Sequence, residues 1–460
     1  MSTDVVRVRT GVYHDSVSLM RVSRTATALP GVEVAVVAMA TELNLGIAAE
    51  LGFDLPKAGP ADLLIALRGG EADALEAALA ELDGLLAGLS TPPAGGAAEH
   101  PPHTVRAAAR EHAATLALVS VPGPHAFAEA LDAVEAGLSV MIFSDNVPVE
   151  QEVLLKRRAA ELGVLVMGPD CGTAVIGGAG LGFANVLRPG PVGLVAASGT
   201  GAQQVACLLD HAGVGVSHVL GVGGRDLSAD VGGLSTLRAL EALDADPATE
   251  LIVLISKPPA PEVARAVAET VAKLGTPVVT ALLGPGQDDL TTATETALRV
   301  LGAPVPAWPS WPAPGTARRH AGGLRGIYSG GTLCVEARLI TGSGEFTDFG
   351  DDAYTVGRAH PMIDPTLRLE ALAEVPPGEV VLIDVVLGHG ADPDPAATLA
   401  PVIAGATARG VTVIVALVGS EGDPQGLNAQ AETLNAAGAA VFTSNAQAAG
   451  HAAEVAGIAR

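Results

Sequence analysis

The sequence predicts a multidomain α/β protein, and three observations carry that prediction. Apolar residues make up 49% of the 460 positions but aromatics only 3%, so Ala, Val, Leu and Ile must fill the helix–sheet contacts. Short apolar runs alternate with helix-period stretches along most of the chain. From residue 192 onward, the same succession of segments occurs twice. At roughly 150 residues per domain the length allows about three domains. The 56 glycines follow no triplet period and no heptad run persists, which excludes collagen-like and coiled-coil chains. The apolar fraction is too high for a disordered chain.

Residues 4–9 alternate as a short strand, and 15–29 carry apolar residues at helical spacing (Val17, Met20, Val22, Ala26, Leu29). Pro30-Gly31 marks a turn before a strand at 32–38. A helix at 42–51, a strand at 62–67 and a helix at 72–88 complete a small α+β domain over 1–90, of ferredoxin-like type. The stretch 91–103, with four prolines, reads as an exposed linker. A second unit, 104–190, alternates strands (115–121, 138–143, 164–167) with helices (125–136, 149–162), which predicts a parallel sheet with right-handed crossovers. Ligands sit at the carboxyl edge of such sheets. Here that edge holds Pro122-Gly123, Ser144-Asp145-Asn146 and the loop with Asp170 and Cys171.

The duplication follows. VGLVAASGTGAQQVACLL (192–209) matches GLRGIYSGGTLCVEARLI (323–340), and three further segments match downstream in the same order, about 130 residues apart. They are STLRALEAL with PTLRLEALA, ELIVLIS with EVVLIDV, and TPVVTALLG with VTVIVALVG. Two equivalent domains are expected at 191–302 and 321–460. A Pro-rich linker at 303–320 holds Trp308 and Trp311, which are expected to pack it onto a domain.

Lys and Arg number 26 against 50 Asp and Glu, a formal charge of −24. No compact basic patch offsets it, which argues against nucleic acid and anionic membrane surfaces as partners. Three scattered cysteines provide neither a disulfide framework nor a CxxC metal site. No histidine pair has metal-ligand spacing. The N-terminus does not read as a signal peptide, and the longest apolar runs fall far short of the ~20 residues of a membrane span, so a cytoplasmic protein is expected.

Each repeat opens with a glycine-rich strand-to-helix turn: Ser198-Gly199-Thr200-Gly201 and Ser329-Gly330-Gly331-Thr332. Free N–H groups and the helix dipole favour an anion there, and glycine lets an oxyanion approach the backbone. Two such turns in duplicated domains could aim at one phosphoryl group. Neither is a Walker A loop, and Gly221-Val222-Gly223-Gly224 leads into Arg225-Asp226 rather than a Rossmann fingerprint. The densest polar stretch lies in the second repeat: Asp348, Asp351, Asp352, Arg358, His360, Asp364 and Arg368. Arginines there could clamp a carboxylate or phosphate, His360 could move a proton, and the aspartates could hold Mg²⁺ through phosphate or simply cap helices and pair with the arginines. His389 follows a strong strand and is a further candidate. Cys171 could be a reactive thiol given a positive partner. Lys257, before Pro258-Pro259, reads as a surface lysine.

VLVMGPDCGTAVIGG, VGLVAASGTGAQQ and VGGRDLS resemble the α subunit of succinyl-CoA synthetases and other acyl-CoA ligases. The chain is more similar still to the FdrA branch of that superfamily, through HDSVSLMRVSR (14–24), VMIFSDNVPVEQE (140–152), MGPDCGT (167–173), GVGGRDLS (221–228), ISKPPA (255–260), YSGGTLCVEA (328–337) and GDDAYTVGRAHPMIDPTLR (350–368). The resemblance runs nearly end to end. It implies an N-terminal accessory domain, a CoA-binding-like Rossmann domain and two flavodoxin-like ligase domains. It also implies a phosphate held between paired helix N-termini, which places Ser198–Gly201 and Ser329–Thr332 at that site. The segment that carries the phosphohistidine in succinyl-CoA synthetases reads ALLGPGQDDLTTATETALRVLG here (281–302), with no histidine, and no ATP-grasp stretch is read in these residues.

FdrA-type proteins resemble components of oxamate carbamoyltransferase of purine (allantoin) catabolism. The resemblance therefore implies a subunit of a transferase complex that uses an acyl or carbamoyl phosphate with a carboxylate or amide substrate, alongside other subunits or further copies of itself. In this reading Ser198, Gly199, Thr200, Gly201, Ser329, Gly330, Gly331 and Thr332 bind phosphate, and Arg358, Arg368, His360 and His389 are the catalytic candidates. Ser144, Asp145, Asn146, Asp170, Cys171, Gly223, Gly224, Arg225, Asp351 and Asp352 line the substrate or cofactor edge. CoA, or Mg²⁺ with phosphate, is a possible cofactor, and no resident metal is expected. The alternatives are an acyl-CoA ligase needing a separate ATP-grasp subunit and a non-catalytic CoA-binding scaffold.

Overall fold

The computed structural model describes residues 3–12, 14, 16–89, 102–314, 322–355 and 358–458. Most of the 91–103 linker and residues 315–320 of the second linker lie outside them. The chain divides into two compact units. One comprises residues 1–102 with 352–364, and the other 103–351 with 365–460.

In the first unit, β1 (Thr3–Arg9), α1 (Ser16–Thr27), β2 (Val32–Met39), α2 (Glu42–Glu50), β3 (Leu63–Gly69) and α3 (Ala72–Leu89) follow the predicted order closely. β3 lies between β1 and β2 and is antiparallel to both, so β1–α1–β2 is a split βαβ unit. Three strands pair among the described residues, one fewer than the four of a complete ferredoxin-like sheet. Every residue of β3 but Arg68 is buried, as a central strand requires.

The second unit opens with α4 (Val105–Glu111), β4 (Leu116–Val119), α5 (Gly123–Glu135), β5 (Ser139–Ile142), α6 (Val149–Leu162) and β6 (Val166–Met167). β4, β5 and β6 form a small parallel sheet in that order. The next two strands, β7 (Thr173–Ile176) and β8 (Ala179–Gly182), fall inside the predicted 104–190 domain but belong elsewhere. β7 pairs antiparallel with the following sheet, so the chain changes sheets near residue 172 rather than 190.

The first repeat is β9 (Pro189–Ala196), α7 (Gly199–His211), β10 (Val216–Gly221), α8 (Leu234–Asp244), β11 (Leu251–Ser256), α9 (Pro261–Val271), β12 (Val278–Leu282) and α10 (Leu290–Val300). The second is reached through β13 (Ser310–Trp311). It contains β14 (Leu324–Tyr328), α11 (Gly331–Thr341), β15 (Glu345–Asp348), α12 (Asp352–Thr355), α13 (Thr366–Ala373), β16 (Val380–Val386), α14 (Pro395–Ala408), β17 (Thr412–Val418), α15 (Leu427–Ala436), β18 (Ala440–Phe442) and α16 (Asn445–Val455). Their shared sheet orders are β12-β11-β9-β10 and β17-β16-β14-β15, the same permutation of equivalent strands. β11 and β16 are buried along their whole length, which explains their unbroken apolar runs. The second linker does pack: Trp308 is buried and its indole N–H donates to Glu295 Oε1 at 3.2 Å.

Buried polar contacts join the two repeats. Gln204 on α7 donates to Thr443 O (2.9 Å) and accepts from Asn445 N–H (3.0 Å). Glu336 on α11 accepts from Leu290 N–H at the start of α10 (2.6 Å) and from Asn445 (2.6 Å). Asp423 of the second repeat accepts from Asn185 (2.7 Å) and Val186 N–H (2.7 Å), in the stretch that leads into β9. The helices that begin at the two glycine turns, α7 and α11, are therefore fixed relative to one another.

Candidate functional site

The turns Ser198–Gly201 and Ser329–Thr332 meet. A Cβ placed on Gly330 would lie 2.8 Å from both Cβ and Cγ2 of Thr200. One placed on Gly201 would lie 3.1 Å from Thr332 Cγ2 and 2.6 Å from its own cap oxygen, Ser198 Oγ. Larger residues at 201 or 330 would push the two helix starts apart. Ser198 is extended at the N-cap of α7 and accepts from Gly201 N–H at 2.9 Å. Helix geometry leaves the N–H groups of Gly199 and Thr200 on α7, and of Gly331, Thr332 and Leu333 on α11, without an intrahelical partner.

The second turn is built differently. Gly330, its N-cap, makes no side-chain cap bond, and Asp384 from the adjacent strand β16 instead holds the backbone just before the helix. Its carboxylate accepts from Ser329 N–H (2.7 Å), Ser329 Oγ (3.0 Å) and Gly330 N–H (2.9 Å). Arg368 on α13 pairs with it at 2.8 Å and donates to the carbonyls of Ile327 and Asp384. Asp384 and Arg368 are both buried. Burial pushes the Asp384 carboxyl up, against the pull of Arg368 and the turn's donors.

This corrects the expectation for Arg368. It is 3% exposed and committed to Asp384, so it holds the turn's shape and presents no free guanidinium to a substrate. The polar stretch 347–368 is divided between the two units. Asp348, Asp351 and Arg368 belong to the second unit, whereas Asp352, Arg358, His360 and Asp364 fold with the first. There, Arg358 N–H donates to Thr355 O, and His360 Nδ1 accepts from Met362 N–H at 3.2 Å. His389 is exposed, and its backbone bridges to Ala184.

Two charged groups stand beside Gly331. Lys257, the residue after β11, places Nζ 2.9 Å from where a Gly331 Cβ would sit, and Asp348 Oδ2 lies against the same point. Asp348 Oδ1 accepts from Gly350 N–H at 2.9 Å. Burial raises the Asp348 carboxyl, while the Gly350 bond and Lys257 pull it down. Lys257 is exposed, as its sequence reading expects, whereas Asp384, inside an apolar strand, passed unremarked.

The loops that follow β4, β5 and β6 lie against one another. A Cβ on Gly123 would meet Asn146 O at 2.7 Å, and Asp170 N–H donates to Ser144 O at 3.0 Å. Gly223, at φ +91°, packs on the 168–169 backbone, with Pro169 O 2.6 Å from its would-be Cβ. Asn146 and Asp170 take the left-handed backbone that these two residue types tolerate best after glycine. Arg225 donates to Val147 O (2.8 Å) and pairs with Glu152 (3.0 Å), so it ties the loops together. Asp145, Asn146, Asp170 and Gly224 are exposed along this edge. Thr173 extends it to the first glycine turn, with Oγ1 3.4 Å from a Cβ on Gly199.

Cys171 does not fit a reactive thiol. It is buried, donates to Thr173 O at 3.5 Å, and burial pushes its thiol up to about 12. Cys207 and Cys334, on α7 and α11, are buried as expected. Among the described residues no three His, Cys, Asp or Glu side chains converge as metal ligands, and no helix is long and apolar enough to cross a membrane.

A parallel-sheet domain with an open carboxyl edge, followed by duplicated domains whose helix starts meet, defines a protein of the CoA-ligase class. Residues 327–455 match the CoA-ligase family model, and residues 1–102 match that of AllF, heavy metal-associated domain. The chain is 37% identical to the uncharacterized protein YahF of Escherichia coli over 97% of both chains. It belongs to that family, the FdrA-type, succinyl-CoA synthetase-like proteins. It is also 32% identical to subunit alpha 2 of the ADP-forming succinate–CoA ligase of Archaeoglobus fulgidus, over 34% of this chain and 54% of that one, about half that subunit's length. Among solved structures, a dinucleotide-forming acetyl-coenzyme A synthetase of Ca. Korarchaeum cryptofilum aligns with TM-score 0.32 and 15% identity, covering 77% of this chain and 84% of that one. Residues 1–102 contain no cysteine, so the thiolate ligands that soft metals favour are missing from the stretch that matches the metal-associated model.

Proposed function

We propose that this chain is the acyl-phosphate-binding subunit of an acyl- or carbamoyl-transferring complex, with carbamoyl phosphate as donor and oxamate as acceptor in purine (allantoin) catabolism. The observation that carries the reading is the contact of the two glycine turns, Thr200 against Gly330, which brings two helix starts to one place. Two positive dipole ends and their open N–H groups suit a dianionic phosphoryl group.

The chemistry is acyl transfer. The amide nitrogen of the acceptor attacks the carbamoyl carbon, an N–C bond forms, and the C–O bond to phosphate breaks. Phosphate leaves with the electron pair, and the nitrogen gives up a proton to a base. Donors already aimed at the phosphate stabilise the charge it gains, and fixing both reactants side by side lowers the entropic cost. No phosphohistidine is needed, in keeping with a 281–302 segment that lacks histidine.

The match of 327–455 to the CoA-ligase model favours a second reading, an acyl-CoA ligase working with a separate ATP-grasp subunit. The exposed edge at Asp145, Asn146, Asp170 and Gly224 would hold CoA, which supplies a thiol as acyl acceptor. Its continuity with Gly199 through Thr173 supports that placement. Of the aspartates at the turns, Asp348 serves Gly350 and Asp384 serves Arg368 and the second turn, so neither offers a free carboxylate to Mg²⁺.

The test uses the purified chain with and without its operon neighbours. One mixture contains carbamoyl phosphate and oxamate, the other ATP, CoA and a dicarboxylate. Phosphate release in the first supports carbamoyl transfer. Release only in the second overturns it for the ligase, and release in neither points to a binding scaffold.

A further inference from the structure

We infer that the first unit is a clamp that sets the shape of the second glycine turn, with Arg24 as its positioning residue. It grips His360–Asp364, and the short link from there to Arg368 fixes the Arg368–Asp384 pair that holds Ser329 and Gly330. The inference goes beyond the reading of the turns as a phosphoryl site and does not depend on what they bind.

The gripped segment is built to be held. Residues 352–364 belong to the second repeat in sequence but fold with residues 1–102. Pro361, Met362 and Ile363 are consecutive and all buried. The His360 carbonyl accepts from Ile363 N–H (2.7 Å) and Asp364 N–H (3.0 Å), and its Nδ1 accepts from Met362 N–H, so the segment is a closed turn. Arg24 on α1 donates to the Ile363 carbonyl, 339 positions away in the chain, in a charge-assisted bond. α1 itself cannot shift easily. Val22 and Ala26 lie in the core under β2 and β3, and Ser23 Oγ donates to Ala35 O (3.2 Å) and accepts from Val37 N–H (3.1 Å).

Both ends of the excursion return to the same turn. On the outgoing side, Phe349 N–H donates to the carbonyl of Tyr328, the last residue of β14, at 2.8 Å. On the returning side, Pro365 is the N-cap of α13, its ring restricts the backbone, and Leu369 N–H closes the first helical turn on its carbonyl at 2.9 Å. Arg368 stands in that turn and pairs with Asp384, which accepts from Ser329 N–H and Gly330 N–H. The contacts are contiguous from Arg24 to Gly330, as mechanical coupling requires. The first repeat supplies the contrast. Its equivalent stretch, residues 222–233 between β10 and α8, stays within its own unit, and its turn is capped by its own Ser198. The excursion occurs in the repeat whose turn depends on a carboxylate from another strand.

Hydrogen–deuterium exchange of the full chain, read by mass spectrometry, tests this. Arg24→Met should speed exchange over 360–364 by roughly tenfold, as expected for loss of a charged hydrogen bond. It should also speed exchange at Ser329 and Gly330 several-fold and leave β11 unchanged. Arg24→Lys, which keeps a charged donor, should stay within a few-fold of the parent chain at both places. Met362→Ala, which weakens the grip and keeps Arg24, should reproduce the pattern of Arg24→Met. Faster exchange over 360–364 with parent rates at Ser329 and Gly330 overturns the inference, because the first unit then holds the loop without acting on the turn. Parent rates at both places, or a uniform loss of protection that includes β11, overturn it as well.

Discussion

Gly330 and Thr200, from different repeats, touch so closely that a Cβ at 330 would fall 2.8 Å from the Thr200 Cβ. Gly330→Ala should therefore cost about 1–3 kcal/mol of stability as an overpacked contact. Thr200→Gly in the same chain should restore most of it, with the pair non-additive in urea unfolding. Additive effects would mean that the two turns do not touch.

Arg368→Met should destabilise the chain by about 3–5 kcal/mol, because it strands the buried Asp384 carboxylate. Asp384→Asn added to it should recover part of the loss. If Arg368 instead bound substrate, the single variant would keep its urea midpoint and lose only ligand affinity.

Glu336 predicts a pH dependence. Burial at the junction of α10, α11 and α16 raises its carboxyl from the ordinary 4.5 to about 7, against hydrogen bonds from Asn445 and Leu290 N–H. A value raised in the folded state favours folding fully below about 4.5 and loses that contribution as pH rises through about 7. The loss is on the order of 3 kcal/mol. The parent chain should lose melting temperature between pH 5 and pH 8, and Glu336→Gln should show a flatter profile over the same range. Parallel profiles would contradict this.

The cysteines predict inertness. All three are buried, and the Cys171 and Cys334 thiols are pushed up to about 12. Iodoacetamide at pH 8 should label none in the native chain and all three in urea, as read by mass spectrometry. Rapid native labelling of Cys171 would restore the reactive-thiol expectation.

What could be read in the sequence was local or repeated. The two Ser-Gly turns, their strands and their helices lie within short windows, and the duplication doubles the signal, so two equivalent domains could be expected. The pairing of β7 and β8 did not, because two short glycine-rich strands carry no period that says which sheet they join. Nor did the transfer of residues 352–364 to the first unit, which depends on contacts across hundreds of residues. Arg368 read as a clamp for a carboxylate or phosphate among polar neighbours. Its partner is 16 residues away in VVLIDVV, where an acid inside a buried strand signals the need for a cation or several donors. Lys257 read as a surface lysine, and its place beside Gly331 was hidden because only the parallel pairing of β11 with β9 puts its strand end beside the turns.

The most direct test of the paired-turn site is a crystal structure of the chain with inorganic phosphate. Tetrahedral density hydrogen-bonded to backbone N–H groups of both turns, at Gly199–Thr200 and Gly331–Thr332, is the predicted result. Phosphate bound at one helix start alone, or a mouth closed by the Thr200 and Thr332 side chains with no density, would contradict it.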